Sequence, residues 1–155
     1  MTTDAPAARV RSTIPRPELN AAGWTAIVGL VVLGLGALAG GVALVAAPDG
    51  RIMQFHPALL AGSPFPDYLA PGLILGGLFG VGSLAVAVAG VRRARPAPFC
   101  AFAIGCGQML WIVVELAIIK EVSFLHPTMF AIGLVIAIAS MAWGWPTFRA
   151  WRALH

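Results

Sequence analysis

Residues 71–91 read PGLILGGLFGVGSLAVAVAGV, a run of 21 residues without Asp, Glu, Lys or Arg. At about 1.5 Å per residue, this is the length an α-helix needs to cross roughly 30 Å of hydrocarbon. A backbone placed in lipid must satisfy its own N–H and C=O groups, and a helix does so within itself. Working outward, the uncharged stretch extends to 68–91, and three others like it occupy 19–48, 96–114 and 122–148. Trimmed at their aromatic, proline and polar edges, they predict spans near 24–47, 71–91, 99–119 and 128–145. The expected fold is therefore all-α: a polytopic membrane protein with four transmembrane helices in an antiparallel bundle.

The composition agrees. Of 155 residues, 59% are hydrophobic and 10% charged, against about 25% charged in soluble domains. The mean hydropathy of +0.89 excludes both a soluble globular domain and a disordered chain, which lacks apolar surface to bury. A net charge of +4 does not mark a nucleic-acid partner, because the basic residues sit at span ends rather than in a patch with interleaved aromatics. Arg9, Arg11 and Arg16 precede the first span, Arg92, Arg93 and Arg95 follow the second, and Arg149 and Arg152 follow the fourth. By the positive-inside rule these eight share the cytoplasmic side. Arg51 and Lys120 fall on the other side, beside Asp49 and Glu121. Both termini are thus expected in the cytoplasm. Arg outnumbers Lys nine to one, and Ala and Gly are abundant, a composition typical of GC-rich bacterial genomes, so the expected location is a bacterial cytoplasmic (inner) membrane. The first apolar run is longer than a signal-peptide core of about 7–15 residues, and the first helix is expected to stay.

Three regions follow: a flexible basic arm over 1–22, a transmembrane domain over 23–147 with an outer loop at 48–70, and a basic tail over 148–155. The loop holds Pro48, Pro57, Pro64 and Pro66. Its apolar middle, 52–60, is expected to lie on the interface as a short helix broken at Pro57. Trp24, Trp143, Trp145 and Trp151 read as an aromatic belt, with Tyr68 as a further headgroup anchor.

Gly72, Gly76 and Gly80 form two successive small-x-x-x-small steps, and Gly36 and Gly40 repeat the spacing in the first span. In lipid, where no hydrophobic force joins helices, close backbone approach through glycine gives dispersion contacts their grip. These faces are read as packing within the chain, or else as surfaces for a second copy or a membrane partner. Asp67 and Pro71 make a well-built start for the second helix, a carboxylate at the positive end and a proline where a missing N–H costs little.

Polar residues inside the spans are few. Gln108, Trp111 and Glu115 share one helical face by their i, i+3, i+7 spacing, and that stripe should face protein. Glu115 is the leading candidate, since an ionisable group within a span is functional by default; the structural alternative is a protonated carboxyl, or one bonded to loop backbone or Arg51. The same end gathers His56, Asp67, Glu121 and His126. His and carboxylate suit zinc or iron, but there is no His-x-x-x-His or Glu-x-x-His here, so no metal or other cofactor is assigned. Cys100 and Cys106, six apart on one helix, point about 240° apart and cannot pair; they read as buried inert thiols. No catalytic motif is present, and no enzymatic activity is expected.

The run 63–75, SPFPDYLAPGLIL, followed by WIVVE at 111–115, resembles a group of small, uncharacterised four-helix bacterial integral membrane proteins. The likeness covers roughly 48–133. It implies fold and topology and no activity. The polar position after Trp-Ile-Val-Val is often Gln in that group and is Glu115 here. Two functions remain as expectations: an accessory subunit that joins a larger membrane complex through its glycine-lined faces, or a self-contained lipid or small-molecule binding or transport protein with a site under the outer loop near Glu115.

Overall fold

The computed structural model describes residues 16–119 and 124–152. Among these residues there is no strand, and four helices are long and apolar enough to cross a membrane. They are α1 (Ala21–Ala46), α2 (Leu69–Val91), α3 (Ala97–Ile119) and α4 (Leu125–Arg152). The predicted spans thus extend by two or three residues at each of their four starts, and α4 runs past Pro146 where aromatic and proline residues marked an end. The expectations for Arg9, Arg11, Lys120, Glu121 and the side chains of Trp151 and Arg152 lie outside the described residues.

Two of the helices, α1 and α3, begin on a recognisable device. The Asn20 side chain accepts from the Gly23 N–H at 2.9 Å to cap α1, while α3 opens with Pro98 in its first turn, where the absent N–H has no intrahelical use. The segment before α1 is docked rather than flexible. Pro17 is fully buried, Leu19 packs on the core, and the Glu18 carbonyl accepts from the Trp143 indole at 2.9 Å. The expected arm over 1–22 is therefore corrected at its last residues, 16–22.

The core lies toward the end that carries the termini. Ile27, Leu30 and Leu33 of α1 meet Ala87 of α2, Ala101 of α3 and Ile136 of α4, and Ala26, Ala97, Ala139 and Trp143 form a second cluster. Trp143 belongs to this core at 1% exposure, whereas Trp24 and Trp145 are about half exposed, at 50% and 53%. The aromatic-belt reading of Trp143 is thus corrected. Cys100 is exposed and Cys106 half-buried, which also corrects the reading of both thiols as buried.

Toward the loop end the four helices sort into two pairs. The α2 glycines pack on α1: a Cβ on Gly72 would lie 2.8 Å from Leu44, one on Gly76 3.4 Å from the Gly41 Cα, and one on Gly80 3.0 Å from the Leu38 Cα. On α1 the seam is made by Gly34 and Gly41, seven residues apart, with Ala37 buried between them. Gly36 faces open space, and Gly40 meets only Leu75, so the predicted Gly36/Gly40 face is not the one that carries the seam. In the other pair, α3 and α4 touch through Gly105 and Gly133, whose own Cβ positions would stand 2.7 and 3.0 Å from each other's carbonyl oxygens.

Within α2 the segment Ile74–Val81 is π-helical, the Gly82 N–H reaching back five residues to the Gly77 carbonyl. Residues four apart overshoot a full α-helical turn by about 40°. The wider π turn offsets that drift and keeps Gly72, Gly76 and Gly80 on α1. The loop-end half of α2 accordingly follows α1, while Gly82–Val91 packs against both α1 and α3.

Candidate functional site

Two openings result from the pairing. Between α1 and α4 an open apolar groove of about 570 Å³ is lined by Gly29, Val32, Pro127, Thr128, Ala131, Ile132 and Val135. On the opposite side, between the loop-end halves of α2 and α3, lies a smaller cavity of about 90 Å³. Its walls are Pro71 and Leu75 from α2, Trp111, Val114, Glu115 and Ile118 from α3, and Leu44 from α1, with Phe55, Leu60, Phe65 and Tyr68 contributed by the loop.

The loop makes this roof by folding back on itself. Gly50 adopts φ +81°, and a Cβ there would meet the Phe55 carbonyl at 2.5 Å, so only glycine permits the turn. The Phe55 N–H then donates to the Gly50 carbonyl at 2.9 Å, and the Tyr68 N–H to the Pro48 carbonyl at 3.0 Å. Residues 51–54 form turns, and helical structure is confined to a 3₁₀ turn, Pro57–Leu60, packed on α3. The expected interfacial helix over 52–60 is not formed, because the chain must reverse at Gly50 and again at Gln54, which has φ 57°. Ser63 fixes Phe65 with a local turn, its hydroxyl accepting from the Phe65 N–H at 3.2 Å.

Tyr68 is the pin of the roof. It is 3% exposed, its ring meets Phe55 at 5.6 Å, and its hydroxyl donates to the His56 carbonyl at 3.0 Å. Burial pushes the phenol above its ordinary value of 10.0, so the donor keeps its proton at neutral pH. A headgroup anchor would be exposed; Tyr68 is instead a wall of the cavity. Tyr68→Phe removes one hydrogen bond, about 1 kcal/mol, and is expected to speed amide exchange over 48–66 while leaving the spans unchanged. Equal exchange in the variant would show that the hydroxyl does not hold the roof.

The remaining candidates distribute around this cavity. Trp111 and Glu115, one turn apart on α3, line it together. Beneath them the Phe79 ring meets Trp111 at 6.0 Å. Gln108 is buried one turn further from the loop, and its amide oxygen has no hydrogen-bond partner among the described residues. Asp67 sits one residue before the N-cap position of α2 and accepts from the Leu69 N–H at 2.9 Å. His56 supplies its carbonyl to the roof, and its side chain is exposed. His126, at the start of α4, interacts electrostatically with Glu115 without lining the cavity. Arg51 pairs loosely with Asp49 at 3.8 Å, both well exposed, and so is not the partner of Glu115. Among the described residues no three His, Cys, Asp or Glu side chains converge as metal ligands would.

Phe55, Phe65 and Leu60 went unread as site residues. The order of turns that brings them over α3 is set by contacts distant in sequence, although Phe-Pro-Asp-Tyr at 65–68, beside a span start, is a visible signal of aromatic content. No protein family, curated protein or solved structure matches this chain.

Proposed function

We propose that this protein is a four-helix antiparallel bundle of the bacterial cytoplasmic membrane, with both termini on the cytoplasmic side, that binds an amphiphilic small molecule or lipid beneath its outer loop. The observation that carries this reading is an ionisable side chain, Glu115, in the wall of a cavity otherwise built from aromatic and aliphatic groups. Ligand sites are concave and mostly apolar with a few fixed polar groups, and carboxylates within spans mark ligand or ion paths. The eight arginines at span ends on one side support the orientation, and the Arg-rich composition supports the bacterial assignment.

The accessory-subunit reading draws on the glycine faces, and most of these are occupied by helices of the same chain. Its support is the α1/α4 groove, whose small residues Gly29, Thr128 and Ala131 would admit a neighbouring helix. Purification from native membranes in mild detergent at natural expression level, with mass spectrometry of what co-purifies, separates the two. A retained small amphiphile without a stoichiometric protein is the expected result. A stoichiometric membrane protein and no retained ligand would replace it with the subunit reading.

A further inference from the structure

We infer that the cavity beneath the loop recognises an organic cation, an alkylammonium group whose hydrocarbon leaves between α2 and α3; this rests on the binding reading above and names the ligand's chemistry. Four aromatic side chains, Phe55, Phe65, Tyr68 and Trp111, line the cavity together with Glu115, and among the described residues no Lys, Arg or His does. Aromatic faces carry negative potential, and several of them around one space form the cage that holds quaternary ammonium groups.

The Tyr68 hydroxyl donates to the His56 carbonyl, leaving its ring as wall. The other polar side chains among the described lining residues are the Trp111 indole and the Glu115 carboxyl, and of the two only the carboxyl carries charge, which favours a cation and repels an anion. A carboxylate in apolar surroundings holds its charge only when paired, and His126 approaches it from α4 without lining the cavity. The inferred place for a ligand's positive charge is the side of Glu115 that faces the cavity. Divalent metals are poorly served by one carboxylate with no second carboxylate or imidazole among the described lining residues.

Shape fixes the rest. At about 90 Å³ the space suits a headgroup and not a whole amphiphile. The loop-end half of α2 packs on α1 and reaches α3 through the Phe79 ring on Trp111, so the inferred path of the hydrocarbon runs between α2 and α3 on the loop side of that contact. The same ammonium chemistry belongs to a free alkylamine and to a choline-type lipid headgroup, which differ by the phosphate.

Calorimetric titration of the full chain in uncharged dodecyl maltoside micelles tests this with three probes of equal chain length: dodecyltrimethylammonium, dodecylphosphocholine and dodecanol. Saturable binding of the ammonium at least about ten-fold tighter than of the alcohol is expected. Glu115→Gln should erase most of that preference, and Phe65→Leu, which keeps an apolar wall and removes a π face, should weaken the ammonium several-fold and leave the alcohol unchanged. Phosphocholine binding as tightly as the ammonium would identify a lipid headgroup as the source; weaker binding would identify a free amine. Dodecanol matching the ammonium, or Glu115→Gln retaining full ammonium affinity, overturns the cation assignment and leaves the binding site standing. No saturable binding of any probe overturns the site itself.

Discussion

Gly41→Ala should destabilise the protein by about 3 kcal/mol, the upper part of the usual range for forcing a methyl group into a packed interface. The new Cβ would stand 2.5 Å from both the Cα and the N of Gly76 and 2.8 Å from the Gly72 carbonyl oxygen. All three are backbone atoms of α2, so no rotamer change relieves the clash and the two helices must separate. Separation is costly over the whole seam, because dispersion between close backbones is what holds helices together in lipid. The matched control is Gly36→Ala. Nothing lies within 4 Å of its Cβ position, and alanine is favoured over glycine in a helix by up to about 1 kcal/mol, so this variant should be neutral or slightly more stable. Equilibrium unfolding by sodium dodecyl sulfate in mixed micelles reads both. Two variants of equal stability would show that the α1/α2 seam does not depend on glycine.

The contrast between those two glycines also marks how far the sequence could be read. Span number followed from charge-free length, since lipid leaves the backbone few alternatives. The rotation of each span did not follow, because α1 is apolar all round and amphipathic patterning has nothing to report. A small-x-x-x-small spacing then picked Gly36 and Gly40, while the buried set Leu30, Gly34, Ala37, Gly41 and Leu44 runs at alternating four- and three-residue steps, the period of a helix-packing seam. In α2 the glycines at four-residue spacing do face α1, helped by a π-helical stretch that no residue announces. Glu115 was legible, since a carboxylate within a span stands out against its neighbours. Its surroundings were not, because Phe55, Leu60, Phe65 and Tyr68 of the cavity wall come from a loop whose path depends on reversals at positive φ, Gly50 among them, and on a tyrosine hydroxyl reaching twelve residues back.

Trp143→Ala is the other large effect, with an expected loss of about 3 kcal/mol. A tryptophan near a span end has the same sequence signature whether it floats at the headgroups or closes the core, and only burial tells the two apart. Here the ring is received by two glycines: Cβ atoms at Gly23 and Gly90 would lie 3.0 and 3.1 Å from it. Truncation therefore leaves a cavity that α1 and α2 cannot close without moving the Gly34 and Gly41 seam further along. It also removes the indole N–H donated to the Glu18 carbonyl, the tie that docks residues 16–20 against α4. Trp143→Phe isolates that tie: it keeps most of the aromatic volume, should cost less than alanine, and should raise amide exchange at the start of α1. Trp145→Ala, two residues on and 53% exposed, should cost under about 1 kcal/mol, because a half-exposed surface and one ring contact, with Phe148 at 6.1 Å, are lost. Unfolding midpoints that rank Trp145→Ala as the more damaging change would return Trp143 to the membrane interface, and with it the docked segment before α1 would lose its support.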